Sequence, residues 1–341
     1  MAQLLHEISV IDYHTAGEPF RIAESQLPLI NGKIVLDKRA SAMANPELEK
    51  IRQLLVNEPR GHADMYGGFI VAPNDSGADF GVLFWHGDGY STACGHGTIA
   101  LGAWAVDTGR IAVNPNGDTA VTIDVPSGRV QAIVSQVSGV TKAISFRNVF
   151  SHSIAENLSV PLSDGRAVAV DIGYGGANYA SLDAKQLGIT VEPKHLDELM
   201  RIGREVKWTL NESPESASQA DPRLNGIYGT IIYEELSSNE TQLHHRNVTI
   251  YADGRVDRSP CGSGTATRIA QLHHSGKLTK NMTLIHDSII GSRFEGRIDQ
   301  EQELNGTKGV IPVITGNAFC TGTSSFTLSE NDEIGTGFSL R

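Results

Sequence analysis

Apolar residues recur along the chain with two different periods, and each predicts its own kind of element. Between residues 46 and 55, Leu48, Ile51, Leu54 and Leu55 fall on one helical face with Glu and Lys between them, which predicts an amphipathic helix. Glu58-Pro59-Arg60-Gly61-His62 ends it, because Pro and Gly both interrupt a helix. Residues 98–106 are apolar on nearly every face, as expected of a buried central helix, and Gly109 is its C-terminal stop. Residues 8–13 alternate weakly, meet the turn-rich His14-Thr15-Ala16-Gly17-Glu18-Pro19, and resume as a strand at 20–22. Runs at 69–72 and 82–85 read as buried strands, and 121–125 with 130–134 as a hairpin about Pro126-Ser127-Gly128. Strands are expected at 167–172, 227–233 and 248–251, a surface helix at 195–206 and a loop at 211–225. A second helix is expected at 265–274, stopped by Gly276, with mainly strands from there to Arg341. Many short strands with one long buried helix per half predict an α+β fold of sheets curled around a helix, not a doubly wound parallel sheet. The best internal boundary lies near residue 125.

Composition narrows the class. A chain of 341 residues suggests about two domains, and 40% hydrophobic residues suffice for two cores. No run of about 18 apolar residues occurs, so no membrane span is expected. The first residues, MAQLLHEISVIDYHTAGEP, lack a basic segment followed by an apolar one and a cleavage site; they read as a strand, and the expected compartment is the cytoplasm. A net charge of −11 argues against nucleic-acid binding, which needs a basic face. Three cysteines do not make a disulfide framework, and in a reducing compartment conspicuously placed cysteines serve catalysis or metal binding more often than cross-linking.

Two of the three cysteines are conspicuous. Ala93-Cys94-Gly95-His96-Gly97-Thr98 and Pro260-Cys261-Gly262-Ser263-Gly264-Thr265 repeat one C-G-x-G-T phrase, 167 residues apart. Gly109 and Gly276 each follow their cysteine by fifteen residues, so a turn, a helix of equal length and a stop are all repeated. Glycines around position x allow a tight turn and close approach to a ligand. The helix that follows offers unpaired N–H groups and a positive dipole end, suited to a carboxylate and able to lower a thiol's pKa. Two such units would hold one carboxylate and place two thiols beside one carbon. That arrangement suits Cα proton abstraction from an amino acid, the carboxylate charge being stabilised by preorganised N–H donors. Return of a proton to the opposite face inverts the centre; a hydroxyl on the next carbon makes β-elimination the alternative. No cofactor is implied: no pyridoxal motif occurs, and neither Gly87-Asp88-Gly89 nor Gly173-Tyr174-Gly175-Gly176 forms a dinucleotide fingerprint. Zinc binding by Cys94, His96 and Cys261 lacks the usual ligand spacing. Cys320 reads as inert packing.

Five phrases together resemble the proline racemase family, which includes proline racemases, hydroxyproline 2-epimerases and trans-3-hydroxyproline dehydratases. They are Asp12-Tyr13-His14-Thr15-Ala16-Gly17-Glu18-Pro19; Glu58-Pro59-Arg60-Gly61-His62-Ala63-Asp64-Met65-Tyr66-Gly67; Cys94-Gly95-His96-Gly97; Asp257-Arg258-Ser259-Pro260-Cys261-Gly262-Ser263-Gly264; and Gly291-Ser292-Arg293-Phe294-Glu295-Gly296. The resemblance implies a diaminopimelate-epimerase-like fold of two similar halves, each a curled, mainly antiparallel sheet around a central helix, with the active site in the cleft between them. The halves would be 1–125, completed by strands at about 320–341, and 126–319. It implies Cys94 and Cys261 as the two catalytic acid/bases, the backbone at Gly95-His96 and Gly262-Ser263 as the carboxylate site, and Asp257 as partner of the ring ammonium. His96 would contact a ring hydroxyl or orient the thiol, or be a satisfied loop histidine. Arg60 reads as a structural ion-pair partner of Glu58 or Glu18, and Tyr66 and Phe294 as packing.

Two thiols keep inversion available, whereas some dehydratases of this family carry Thr at the second position. Asp64-Met65-Tyr66-Gly67, Gly175-Gly176-Ala177-Asn178-Tyr179-Ala180 and Ile227-Tyr228-Gly229-Thr230 look more like the dehydratase branch. The resulting expectation is dehydration of trans-3-hydroxy-L-proline to Δ1-pyrroline-2-carboxylate, with 2-epimerisation of the same substrate. A 4-hydroxyproline 2-epimerase and a proline racemase are the alternatives within the class; an amino-acid-binding or thiol-redox protein is the alternative outside it. The expected partner is a small-molecule substrate, with no nucleic acid and no membrane; a homodimer is compatible with the chain.

Overall fold

Alternate burial along the strands builds the sheets: in Gly128–Val137, Val130, Ala132, Val134 and Gln136 turn inward and their neighbours outward. The computed structural model describes residues 4–217 and 221–340. The chain divides into two units, one ending at residue 142 but regaining the segment from 317 onward, the other running from 143 to 316.

The first unit contains β1 (Leu4–Thr15), β2 (Glu18–Ala23), α1 (Val35–Met43), α2 (Pro46–Val56), β3 (Tyr66–Val71), β4 (Phe80–His86), β5 (Gly89–Tyr90), α3 (Gly95–Asp107), β6 (Gly117–Val125) and β7 (Gly128–Val137). Strand Ala318–Ser329 pairs antiparallel with β1, which pairs antiparallel with β2. β2–β3 and β4–β6 are parallel; β3–β4 and β6–β7 are antiparallel. Helix α3 packs against β1, β2, β6, β7 and Ala318–Ser329 and is buried from Gly95 to Ala105. The apolar face predicted at 46–55 is the buried face of α2, whose start is set by Asn45 accepting from the amides of Glu47 and Leu48 and by Pro46 in the first turn. Helix α1 was not anticipated from the hydrophobic pattern.

The second unit begins within β8 (Val140–Arg147) and continues through β9 (His152–Pro161), β10 (Ala167–Tyr174), β11 (Asn178–Asp183), α4 (Leu196–Asn211), β12 (Ile227–Ser238), β13 (Gln242–Tyr251), β14 (Arg255–Asp257), α5 (Gly262–His274), β15 (Thr283–Ser288), β16 (Arg293–Leu304) and β17 (Thr307–Gly316). The returning strand of the first unit is then β18. β10–β11 is antiparallel, β11–β12 parallel, β12–β13 antiparallel, β13–β15 parallel and β15–β16 antiparallel. That series repeats β1–β2, β2–β3, β3–β4, β4–β6 and β6–β7. The short repeat around the cysteines is therefore part of a repeat of strand order, with α5 in the place of α3. Helix α5 packs against β9, β10, β11, β16 and β17. Helix α4 buries Leu199, Ile202, Val206 and Leu210 and extends five residues past the expected 206. The expected loop at 211–225 contains short turns of helix at Pro214–Ser216 and Pro222–Leu224; residues 218–220 lie outside the described residues.

Three expectations differ from the structure. The division falls at 142/143, not near 125, because β6 and β7 form one continuous hairpin within the first unit. Arg60 pairs with Asp332 at 2.8 Å, not with Glu58 or Glu18, and donates to the carbonyls of Thr327 and Gly335. Its role is to tie the C-terminal segment to the turn after α2. Cys320 is exposed on β18 and is not core packing. Among the described residues no helix is long and apolar enough to cross a membrane.

The phrase Asp12–Pro19 acts partly through Arg21. The guanidinium bonds both Asp12 oxygens at 2.9 Å and the carbonyls of Leu55 and Arg60 at 2.7 and 2.9 Å, linking β1, β2 and the end of α2. Arg21→Met leaves those mostly buried acceptors unpaired, and chemical denaturation is expected to show a loss of about 3 kcal/mol.

Candidate active site

Each central helix begins with a cysteine where Ser, Thr, Asp or Asn usually stands. Cys94 is the N-cap of α3, and its Sγ accepts from the amide of Gly97 at 3.2 Å. Cys261 is the N-cap of α5, and its Sγ accepts from the amide of Gly264 at 3.3 Å. This explains the second glycine of each phrase. A Cβ on Gly97 would stand 2.8 Å from the Cys94 sulfur and 2.4 Å from the Phe20 ring; one on Gly264 would stand 3.0 Å from the Cys261 sulfur. The sulfur occupies the space a side chain there would need. Both thiols are buried, and the first-turn amides of Gly95-His96 and Gly262-Ser263 are those that no intrahelical carbonyl reaches.

In the first unit, His96 lies against Cys94. Its Nδ1 and Nε2 stand 3.5 and 3.6 Å from the sulfur, so nearly equal that neither nitrogen is aimed at it as in a directed Cys–His pair. The ring bonds instead to the Pro19 backbone, and burial pushes its pKa down to about 3, so it is neutral at ordinary pH. Phe20 and Tyr66 stand edge-on to it, with centroids 5.9 and 5.0 Å away, and the Thr15 hydroxyl donates to the His96 carbonyl at 2.9 Å. Tyr66 in turn shares a short hydrogen bond with Ser91. His14, near the end of β1, and His62 brace the turns that follow them: Nδ1 of each accepts a backbone amide, from Gly17 and Asp64 respectively.

In the second unit, Asp257, Cys261, Gly262 and Ser263 are brought together. Asp257 is buried, and its Oδ1 accepts the amide and hydroxyl of Ser259 at 2.8 and 2.7 Å. The Ser259 hydroxyl accepts the Cys261 amide at 3.1 Å. Burial pushes Asp257 above the usual carboxylate range. Burial first, and then the Asp257 carboxylate, push the Cys261 thiol well above its ordinary value, so it stays protonated at neutral pH. Ala177, Tyr179 and Ile231 pack with Cys261, with Tyr228 beside them. Ser263 Oγ is buried and has no hydrogen-bond partner among the described residues. Arg293 pairs with Asp287 at 2.6 Å. Phe294 is fully buried packing.

The backbones of the two cysteines differ. Cys94 is extended, at φ −155°, whereas Cys261 has φ +60°, a region that costs a non-glycine residue about 1–3 kcal/mol. Sequence reading missed this, and it missed Thr249, whose hydroxyl bonds the Cys261 thiol. The available signal was Asn247 and Thr249, two polar residues on the same face of β13 among the apolar Val248, Ile250 and Tyr251. Among the described residues no group of His, Cys, Asp and Glu is arranged to hold a metal ion.

The proline racemase family model matches residues 10–339. A trans-3-hydroxy-L-proline dehydratase of Bacillus cereus is 38% identical over 332 residues, covering 97% of this chain and 98% of the relative. A 3-hydroxyproline 2-epimerase of Burkholderia multivorans is 37% identical over 339 residues, covering 99% of this chain and 100% of the relative. Among solved structures, a hydroxyproline epimerase from Agrobacterium vitis with bound trans-4-hydroxy-L-proline superposes with a TM-score of 0.90 at 27% identity, covering 100% of this chain and 97% of that one.

Two measurements follow from the site geometry. Gly97→Ala is expected to keep the fold by circular dichroism yet lower turnover about a hundredfold, because the sulfur must shift. The His96 imidazole, its pKa depressed by burial, is expected to show no titration by NMR between pH 5 and 8.

Proposed function

Because the chain belongs to the proline racemase family, we propose that it is an enzyme that dehydrates trans-3-hydroxy-L-proline to Δ1-pyrroline-2-carboxylate and also epimerises it at C2. The observation that carries the reading is the pair of buried helix-capping thiols, one of them held protonated beside a carboxylate. The names of the relatives at 37–38% identity support the 3-hydroxy substrate.

In this reading the first-turn amides of Gly95-His96 and Gly262-Ser263 bind the substrate carboxylate, and Asp257 meets the ring ammonium. The Cys94 thiolate removes the Cα proton, and charge builds on the carboxylate in front of those donors. Stereochemistry then separates the two outcomes. In the trans isomer the 3-hydroxyl and the Cα hydrogen lie on the same ring face. The Cys94 thiol that has just gained the proton can therefore pass it to the leaving hydroxyl. The Cα–H and C3–O bonds break, a C2–C3 double bond forms, and water leaves. Cys94 returns to thiolate, and the enamine tautomerises to the pyrroline. Inversion instead requires a proton from the other face, and Cys261, kept as a thiol, is suited to give it. The buried Ser263 hydroxyl is available as a further donor to the carboxylate.

The protein should be incubated separately in D₂O with L-proline, trans-4-hydroxy-L-proline and trans-3-hydroxy-L-proline, following Cα deuteration, optical rotation and pyrroline carboxylate. Pyrroline from the 3-hydroxy substrate alone, with some inverted substrate, is expected. Deuterium exchange with that substrate but no pyrroline would refute dehydration. No exchange with any of the three would refute imino-acid chemistry altogether.

A further inference from the structure

Cys261 sits in an unfavourable backbone conformation, and the structure shows what holds it there. The carbonyl of the preceding residue, Pro260, accepts from Asn247 Nδ2 and from Thr265 Oγ1, each at 3.1 Å. His286 joins these two donors: its Nδ1 is 2.8 Å from Thr265 Oγ1 and its Nε2 is 2.9 Å from Asn247 Nδ2. The Asn247 carbonyl oxygen faces the Thr249 hydroxyl at 3.4 Å, and that hydroxyl bonds the Cys261 thiol. Asn247, Thr249, Thr265 and His286 are all fully buried, on β13, α5 and β15.

Donor and acceptor identities give this closed loop one direction. Turning the Asn247 amide over would set its oxygen against the carbonyls of Pro260 and Asp287, so its NH₂ faces them and also His286. His286 Nε2 must then accept, which places the proton on Nδ1, donating to Thr265. Thr265 passes its own proton toward the Pro260 carbonyl. At the other end the Thr249 hydroxyl stands between the Asn247 oxygen, to which it donates, and the Cys261 sulfur, while the Cys261 S–H donates to the Tyr179 hydroxyl at 3.9 Å. Burial holds His286 well below the usual imidazole range, in keeping with a neutral ring that accepts at one nitrogen.

The geometry points to Asn247, Thr249, Thr265 and His286 as positioning residues that fix the Cys261 backbone and aim its thiol as the proton donor for inversion. The inference rests on the proposed role of Cys261. Once that thiol has given up its proton, the Thr249 hydroxyl can turn and donate to the thiolate, so the same contact serves both states. In the first unit the Cys94 backbone is extended and its neighbouring histidine is anchored to the Pro19 backbone.

Thr249→Val and Thr265→Val preserve shape and remove one link each; His286→Leu removes the middle of the loop and is read only if it folds. With trans-3-hydroxy-L-proline, each threonine variant is expected to lower kcat for epimer formation about tenfold more than kcat for dehydration, with KM little changed, and Thr249→Ser should restore the ratio. A misfolded or loosened protein would lower both activities together, so an unchanged ratio overturns the inference. Alkylation of Cys261 by iodoacetamide, in protein carrying Cys94→Ser and Cys320→Ser, provides a measurement without turnover. Thr249→Val is expected to slow it about tenfold at pH 8, because the thiolate loses a donor; an unchanged rate overturns the inference as well. Cys261→Ser separates the two levels of the argument. Continued inversion in that variant refutes the role assigned to Cys261, whereas its loss, with threonine variants that behave as wild type, refutes only the loop.

Discussion

Two sulfur atoms in the place of helix-capping oxygens set the constraint on which the rest depends. Sulfur accepts a hydrogen bond more weakly than a hydroxyl or carboxylate, and it is larger. Gly97 and Gly264 are the accommodation: a Cβ at either would stand within 3.0 Å of the capping sulfur. A helix begun this way is held mainly by its packing. The apolar surface of α3, buried on every side by β1, β2, β6, β7 and β18, supplies that support. The glycines and the enclosing sheet thus follow from one requirement, that a thiol sit at a helix N-terminus away from water.

The two halves repeat strand order faithfully, yet their thiols are not equivalent. Cys94 has an extended backbone and a neutral imidazole beside it that points neither nitrogen at the sulfur. Cys261 has a left-handed backbone, a buried carboxylate four residues upstream and a threonine hydroxyl on its sulfur. The difference is what the proposed reaction asks for, in which Cys94 removes and redelivers a proton and Cys261 serves only inversion. The repeated strand order gives both thiols the same scaffold, and the residues around each cap differ.

Much of this was legible in the chain. The apolar spacing of Leu48, Ile51, Leu54 and Leu55 is local, and so are the stops at Gly109 and Gly276, which adopt φ of +69° and +72°. The equivalence of the two helix-capping cysteines was legible because the phrase around them is repeated. What escaped reading depends on long-range pairing. The partner of Arg60 lies 272 residues away at Asp332. The loop behind Cys261 joins β13, α5 and β15, whose spacing in sequence says nothing of their contact. The backbone of Cys261 could not be inferred from a phrase it shares with an extended Cys94. The exposure of Cys320 follows from its place on β18, a strand paired only with β1 among the described residues.

The central claim is that elimination and inversion part ways at the second thiol. Its most direct measurement compares Cys94→Ser and Cys261→Ser with trans-3-hydroxy-L-proline, recording pyrroline carboxylate and the C2 epimer in the same reaction. The account predicts that Cys94→Ser makes neither product, and that Cys261→Ser loses the epimer much more completely than the pyrroline. Equal loss of both products in the two variants, or an epimer still formed without Cys261, would contradict it.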